Sequence, residues 1–160
     1  MPARGKPRPG GPPLSAAELR FLRALVRAKV DFMIVGLSAA ALQGAPVVTQ
    51  DVDLWFRDLN DPRLHRTLRK VGSGILEPVG LNPPVLLGEG VDLFDLVTHM
   101  HGLEGFAEEM KHAVRISLGS FRVPVLPLDR VIASKRALGR PKDELYLRVL
   151  ADTRKAVRRR

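Results

Sequence analysis

Residues Asp51 to Phe56 alternate polar and apolar side chains, a period of two that belongs to an extended strand. The alternation puts Asp51, Asp53 and Trp55 on one face and Val52, Leu54 and Phe56 on the other. Two carboxylates about 6–7 Å apart along one strand face repel each other unless a cation lies between them. The chain has no cysteine, so such a cation must be held by oxygen or imidazole, and thiolate-bound zinc and iron–sulfur clusters are excluded. Magnesium takes few carboxylates and completes its shell with water and phosphate oxygens, which suits phosphoryl chemistry.

The surrounding sequence predicts helices and strands in alternation. Ser15 and Glu18 form a capping box, and Leu19, Leu22, Leu25 and Val26 follow at helical spacing, so a first helix is expected to about Ala28. Phe32 to Val35 reads as a short buried strand that Gly36 ends, and a helix is expected to begin at Ser38. Backbone amides at that helix start would receive phosphate oxygens, and the Ser38 hydroxyl would either donate one more hydrogen bond or serve as a plain N-cap. Asp61-Pro62 opens a helix to about Val71, and the glycines and prolines from Gly72 to Pro84 predict irregular chain. Val91 to Thr98 suits a strand that Val85-Leu86-Leu87 is expected to join across Gly88-Glu89-Gly90. A short helix over 105–111, a hairpin about Gly119-Ser120, a helix from Leu128 to Ala137 and a last helix from Pro141 complete the reading. This order predicts an α/β (α+β) fold with a mixed sheet flanked by helices in a single domain. We place that domain at 14–153, between a Pro/Gly/basic leader over 1–13, expected to be disordered, and a basic tail over 154–160.

The formal charge of +9 is concentrated at the ends. Arg4, Lys6 and Arg8 lie in the leader, and Arg154, Lys155, Arg158, Arg159 and Arg160 in the tail, which leaves +1 for everything between. Solvated ends explain this, with an RNA or other polyanionic partner as the alternative. No apolar run approaches the ~20 residues that span a bilayer, and the start lacks the apolar stretch of a secretory signal, so the expected location is cytoplasmic.

Several segments together resemble the Pol-β-like nucleotidyltransferases, and within them the small AbiEii-like abortive-infection toxin group. They are Val35-Gly36-Leu37-Ser38, Gly44-Ala45-Pro46 with Thr49, Asp51-Val52-Asp53-Leu54, and Asp95-Leu96-Val97-Thr98 with Gly102. The most distinctive runs from Val131 through Lys135 and Arg140 to Asp143. Leu37 and Val47 depart from the pattern, where the family often has glycine and arginine. The resemblance implies a transferase that moves a nucleoside monophosphate from a nucleoside triphosphate to a hydroxyl acceptor, an RNA 3′ end or a protein, in a toxin–antitoxin system with a cognate antitoxin. It implies Mg2+ (or Mn2+) on Asp51, Asp53 and a third carboxylate. Asp92 and Asp95 are the candidates, and in a regular strand they face opposite ways; the spacing from Asp95 to Gly102 resembles the family's and selects Asp95.

By the same resemblance Lys135 and Asp143 form a pair in which the lysine meets nucleotide phosphates, with Gly36, Ser38 and Arg140 completing the nucleotide site. A solvated helix end with Arg140 bonded to a carboxylate or to carbonyls is the plainer explanation of that segment. His99 and His101 lack a third-ligand pattern and read as loop, and Trp55 reads as packing. A non-catalytic binding module of the same fold and a metal-dependent nuclease are the rival functions.

Overall fold

The computed structural model describes residues 14–76, 80 and 82–159. The leader over 1–13, Pro78 in the irregular stretch, and Arg160 lie outside them. The element order is α1 (Ala16–Arg27), β1 (Phe32–Val35), α2 (Gly36–Leu42), β2 (Val52–Phe56), α3 (Pro62–Lys70), β3 (Gly74–Leu76) and β4 (Val85–Leu87). It continues with β5 (Phe94–Val97), α4 (Phe106–Met110), β6 (Val114–Ser117), β7 (Arg122–Val125), α5 (Leu128–Leu138) and α6 (Pro141–Arg158).

Five strands form one mixed sheet in the order β5-β2-β1-β7-β6. β1 runs antiparallel to β2 and parallel to β7, β2 is parallel to β5, and β6 and β7 form the expected hairpin. β1 occupies the centre because all four of its side chains are apolar, and all four are buried. Phe21 of α1 meets Phe94 at 5.4 Å between ring centres. Phe94 is in register with Val52, so α1 covers the Val52–Leu54–Phe56 face, with α3 beside it. The face that carries Asp53 is left to α2 and α5.

Two expectations about the elements are corrected. β4 pairs with β3, Ile75 opposite Leu86 and Leu76 opposite Val85, and does not join β5. The chain tightens before β5: Val91 N–H donates to Gly88 O and Phe94 N–H to Val91 O, so residues 91–93 are turn and offer no extended edge. Leu86 is buried, and its partner strand comes from the segment read as irregular. At the other end, α6 continues through Arg154 and Lys155 to Arg158, so these residues are helix and not a tail. Arg154 and Arg158 both bond Asp129, at 3.1 Å.

α5, which brings Lys135 to the sheet, is tied down at its first turns. The Gln43 side chain at the end of α2 donates to Leu126 O (2.8 Å) and accepts from Leu128 N (3.2 Å). Glu109 of α4, 1% exposed, takes Arg130 of α5 in a two-point pair, Nε to Oε2 at 2.8 Å and Nη2 to Oε1 at 2.5 Å. Its Oε1 also accepts Glu104 N at 3.0 Å. Breaking a buried pair from one side strands the other charge. Glu109→Ala is therefore expected to lower the unfolding free energy by about 2–3 kcal/mol, less than a wholly buried pair because Arg130 reaches solvent, as read by urea denaturation.

Candidate active site

The Asp-x-Asp segment folds as its alternation requires, with one adjustment: β2 begins at Val52, and exposed Asp51 stands just before it. The Thr49 hydroxyl donates to Asp51 O at 2.8 Å and shapes that entry. Asp53 lies inside the sheet, in register with Val35 of β1 on one side and Asp95 of β5 on the other. Residues paired in register point to the same face, so Asp95 stands beside Asp53. Asp92 falls in the turn before β5 and has no such partner.

The carboxylates act on one another. Burial, with the negative charges of Asp95 and Asp51, pushes Asp53 up to about 6, against a counter-pull from Lys135. Asp95 is raised too, by burial and by Asp51. Among the described residues no three carboxylate or imidazole groups gather tightly enough to hold a metal ion by themselves. Magnesium does not need such a cage, because water and phosphates fill most of its shell. A site where like charges are held together at an energetic cost fits a divalent cation.

Gly36 is where the chain passes closest to this centre. Its φ is +66°, and a Cβ there would collide with Asp53 Oδ2. Glycine is therefore required twice, by backbone conformation and by the carboxylate lying against it. α2 starts at Gly36 itself, with Val35 as N-cap, two residues earlier than expected. Ser38 is consequently neither N-cap nor a free donor. Fully buried, its hydroxyl donates to Val35 O at 2.7 Å and accepts Asp53 N at 3.2 Å. That leaves no proton for a phosphate, and the residue instead clamps β1, α2 and β2 around Asp53.

Opposite Asp53 stands Lys135, 14% exposed, from the last turn of α5. Its Nζ lies 3.4 Å from Asp143 Oδ1. Asp143 sits in the first turn of α6, 1% exposed, and also receives Arg140 Nε at 2.7 Å and Nη2 at 3.1 Å. The Arg140 hydrogen bonds, then the Lys135 charge, hold the Asp143 carboxyl below its usual range. Arg140 is bonded to a carboxylate, as the plainer reading of this segment expected, and it lines the cleft as well.

Gly36, Asp53, Lys135 and Arg140 border a cleft of about 160 Å³. His99, Met100 and His101 form its other wall. The sequence reading left these three as loop. The loop is pressed onto α5 because Gly102, φ +72°, packs where a Cβ would strike Ala137. The two imidazoles meet edge to face, 5.1 Å between centres. A signal was present in the sequence: His99 follows Asp95 by four positions and so continues the same strand face. Trp55 is 5% exposed and packs edge-on against Phe106, as a packing residue should.

No family model and no curated protein matches the chain. Among solved structures, one that matches is ANT(2″)-Ia, an aminoglycoside nucleotidyltransferase, in complex with adenylyl-2″-tobramycin. It is 15% identical, with a TM-score of 0.52 over 87% of this chain and 95% of that one. The mixed α/β fold, a five-stranded mixed sheet flanked by helices, is similar to that of this nucleotidyltransferase. Membership of the AbiEii-like group does not follow from this similarity. Among the described residues no helix is long and apolar enough to cross a membrane.

Two predictions concern Asp53 and its neighbour. Gly36→Ala is expected to lower stability by about 1–2 kcal/mol from the positive φ alone, with a further loss from displacing Asp53, measured by thermal unfolding. A carboxyl raised from 3.8 to about 6 destabilises the fold above pH 6, and the penalty fades as pH falls towards 4. That penalty is about 3 kcal/mol. In metal-free buffer, Asp53→Asn is expected to raise Tm at pH 8 and to leave it nearly unchanged at pH 4.

Proposed function

We propose that the chain is a metal-dependent nucleotidyltransferase that moves a nucleoside monophosphate from a nucleoside triphosphate to a hydroxyl acceptor. The observation that carries this reading is the register of Asp53 with Asp95, both held above the usual carboxylate range, with Asp53 bordering the same cleft as Lys135 and Gly36. The similarity in fold to ANT(2″)-Ia, a structure with an adenylylated product, supports the same reaction class.

Asp51, Asp53 and Asp95 would hold magnesium or manganese, which when bound neutralises phosphate charge and orients the triphosphate. Lys135 and Arg140 bind phosphate oxygens from the cleft wall, and Asp143 keeps both cations in position until the phosphates arrive. The acceptor oxygen attacks the α-phosphorus in line, the bond to the bridging oxygen breaks, and pyrophosphate leaves. Asp95 takes the hydroxyl proton, a role that its raised affinity for protons suits. Most of the acceleration comes from positioning and from charge placed where it develops. Ser38 acts indirectly, by fixing the backbone under Asp53.

The finer assignments, an RNA 3′ end or a protein hydroxyl as acceptor, a cognate antitoxin and a toxin–antitoxin setting, are brought by sequence resemblance alone. The basic C-terminal residues lend RNA less support than their number suggests, since Arg154 and Arg158 are bonded to Asp129.

Calorimetric titration of magnesium with each nucleoside triphosphate tests the donor site. Wild type is expected to bind with a magnesium requirement, and the Asp51→Ala, Asp53→Ala double variant to lose at least about 100-fold in affinity, or roughly 3 kcal/mol. Equal binding by the two proteins would remove the assignment. Cleavage of RNA without added triphosphate would favour the nuclease, and neither binding nor cleavage the non-catalytic module.

A further inference from the structure

The +1 carried by the residues between the two ends hides a separation of charge. On α1, Arg20, Arg23 and Arg27 recur at i, i+3 and i+7, opposite the buried Phe21, Leu22 and Leu25. On α3, Arg66, Arg69 and Lys70 recur at i, i+3 and i+4, opposite the buried Leu64 and Leu68. The two helices pack side by side on the face of the sheet away from Asp53, so these cations share one outer surface. Arg20 to Arg27 spans about 10 Å along its helix, and the axes of packed neighbouring helices lie about 8–10 Å apart.

Acids do not answer this surface. α3 contains none, and the acid of α1, Glu18, is bonded to the Ser15 N–H in the capping box. Asp31 takes Arg57, and Asp61 takes Arg63. Arg66 senses Asp61 without bonding to it. Exposed Glu89 precedes Gly90, which packs on Ala17 in the first turn of α1, the end of the helix away from Arg23 and Arg27. None of the cations on this surface makes a side-chain hydrogen bond or ion pair among the described residues. Interaction with the helix dipole accounts for Arg27, Arg69 and Lys70, which lie in last turns. It does not account for Arg20, Arg23 and Arg66, and a face that serves solubility alone mixes charges of both signs.

Like charges gathered in this way fit a partner with regularly spaced negative charge. Neither helix has an exposed large apolar side chain among the described residues, and their outer faces carry no aromatic ring. That removes the apolar core of a protein interface, the inserted side chains of a membrane-surface helix and the stacking platform for unpaired bases. Guanidinium groups, which bond phosphate at two points, remain. We propose that the α1–α3 surface binds the phosphate backbone of a double-helical nucleic acid without reading its bases. RNA and DNA duplexes share that chemistry. Binding there requires neither triphosphate nor metal, and the surface lies across the sheet from the candidate active site, so the inference stands apart from the nucleotidyl-transfer reading.

The anisotropy of fluorescently labelled duplexes of mixed sequence, one RNA and one DNA, is measured against protein concentration without magnesium or nucleotide and over a range of salt. Saturable binding at low salt is expected, with log affinity falling linearly against log salt concentration. Arg20→Gln with Arg66→Gln, both at exposed positions, should weaken binding at least about tenfold and make that slope shallower by about 2, since each phosphate contact contributes roughly 0.9. Arg27→Gln with Arg69→Gln should do the same, whereas a variant with Arg4, Lys6 and Arg8 neutralised should retain saturable binding. Tighter binding of the RNA duplex names RNA as the source of the backbone, and tighter binding of the DNA duplex names DNA. No binding of either duplex at low salt, an unchanged slope in both double variants, or loss of binding only when Arg4, Lys6 and Arg8 are neutralised would each overturn the assignment. So would tighter binding to oligouridylate or to phosphatidylserine vesicles than to the duplexes. A wild type that binds duplex but no magnesium–nucleotide sinks the donor site alone, and the reverse sinks only this surface.

Discussion

Asp53 and Asp95 stand side by side on parallel strands, and the burial of Asp53, with the charge of Asp95 beside it, is a constraint that much of the fold answers. The penalty on Asp53 alone is about that of one or two buried apolar side chains, each contributing roughly 1.5–3 kcal/mol. The four buried residues of β1, with Val52, Leu54 and Phe56 behind Asp53, offset it. Ser38 and Gly36 then hold the carboxylate in place from the other side, one by accepting its backbone N–H and one by having no side chain. The strained electrostatics therefore sit on a rigid, apolar base, an arrangement suited to a centre that waits for a cation.

Lys135 is the partial counterweight, and its position depends on three separate attachments. Gln43 anchors the start of α5, the pair of Glu109 with Arg130 fixes its first turn, and Asp143 receives the lysine itself. Asp143 has a double part. It is a buried carboxylate satisfied by two cations, and it keeps both at the border of the cleft where a polyanion would enter. On the proposed reading, phosphates arriving there would meet a lysine and an arginine already placed, so less conformational entropy would be lost on binding.

The His99–Gly102 loop has a different origin. The loop closes over the face because Gly102 allows contact with Ala137, and through that contact α5 sets the position of both histidines. One side of the loop borders the cleft that holds Asp53, Lys135 and Arg140.

Much of this was legible in local pattern. The capping box at Ser15, the Asp61-Pro62 helix start, the alternation after Asp51 and the hairpin at Gly119 all depend on neighbours within a few positions, and each element formed where its signal lay. What local pattern misjudged was decided by contacts between distant segments. Ser38 looked like a cap until the backbone of Asp53 claimed it, β4 found its partner in a stretch that read as irregular, and the basic end became helix with its arginines on Asp129. The sequence by itself determined which residues carry charge and which strands and helices they ride on, because propensity and periodicity act over a few residues. Only the tertiary structure decided that Asp95 lies in register with Asp53 on a parallel strand, and that His99 lines the cleft beside Lys135, because register and packing are set by hydrogen bonds and surfaces far apart in the chain.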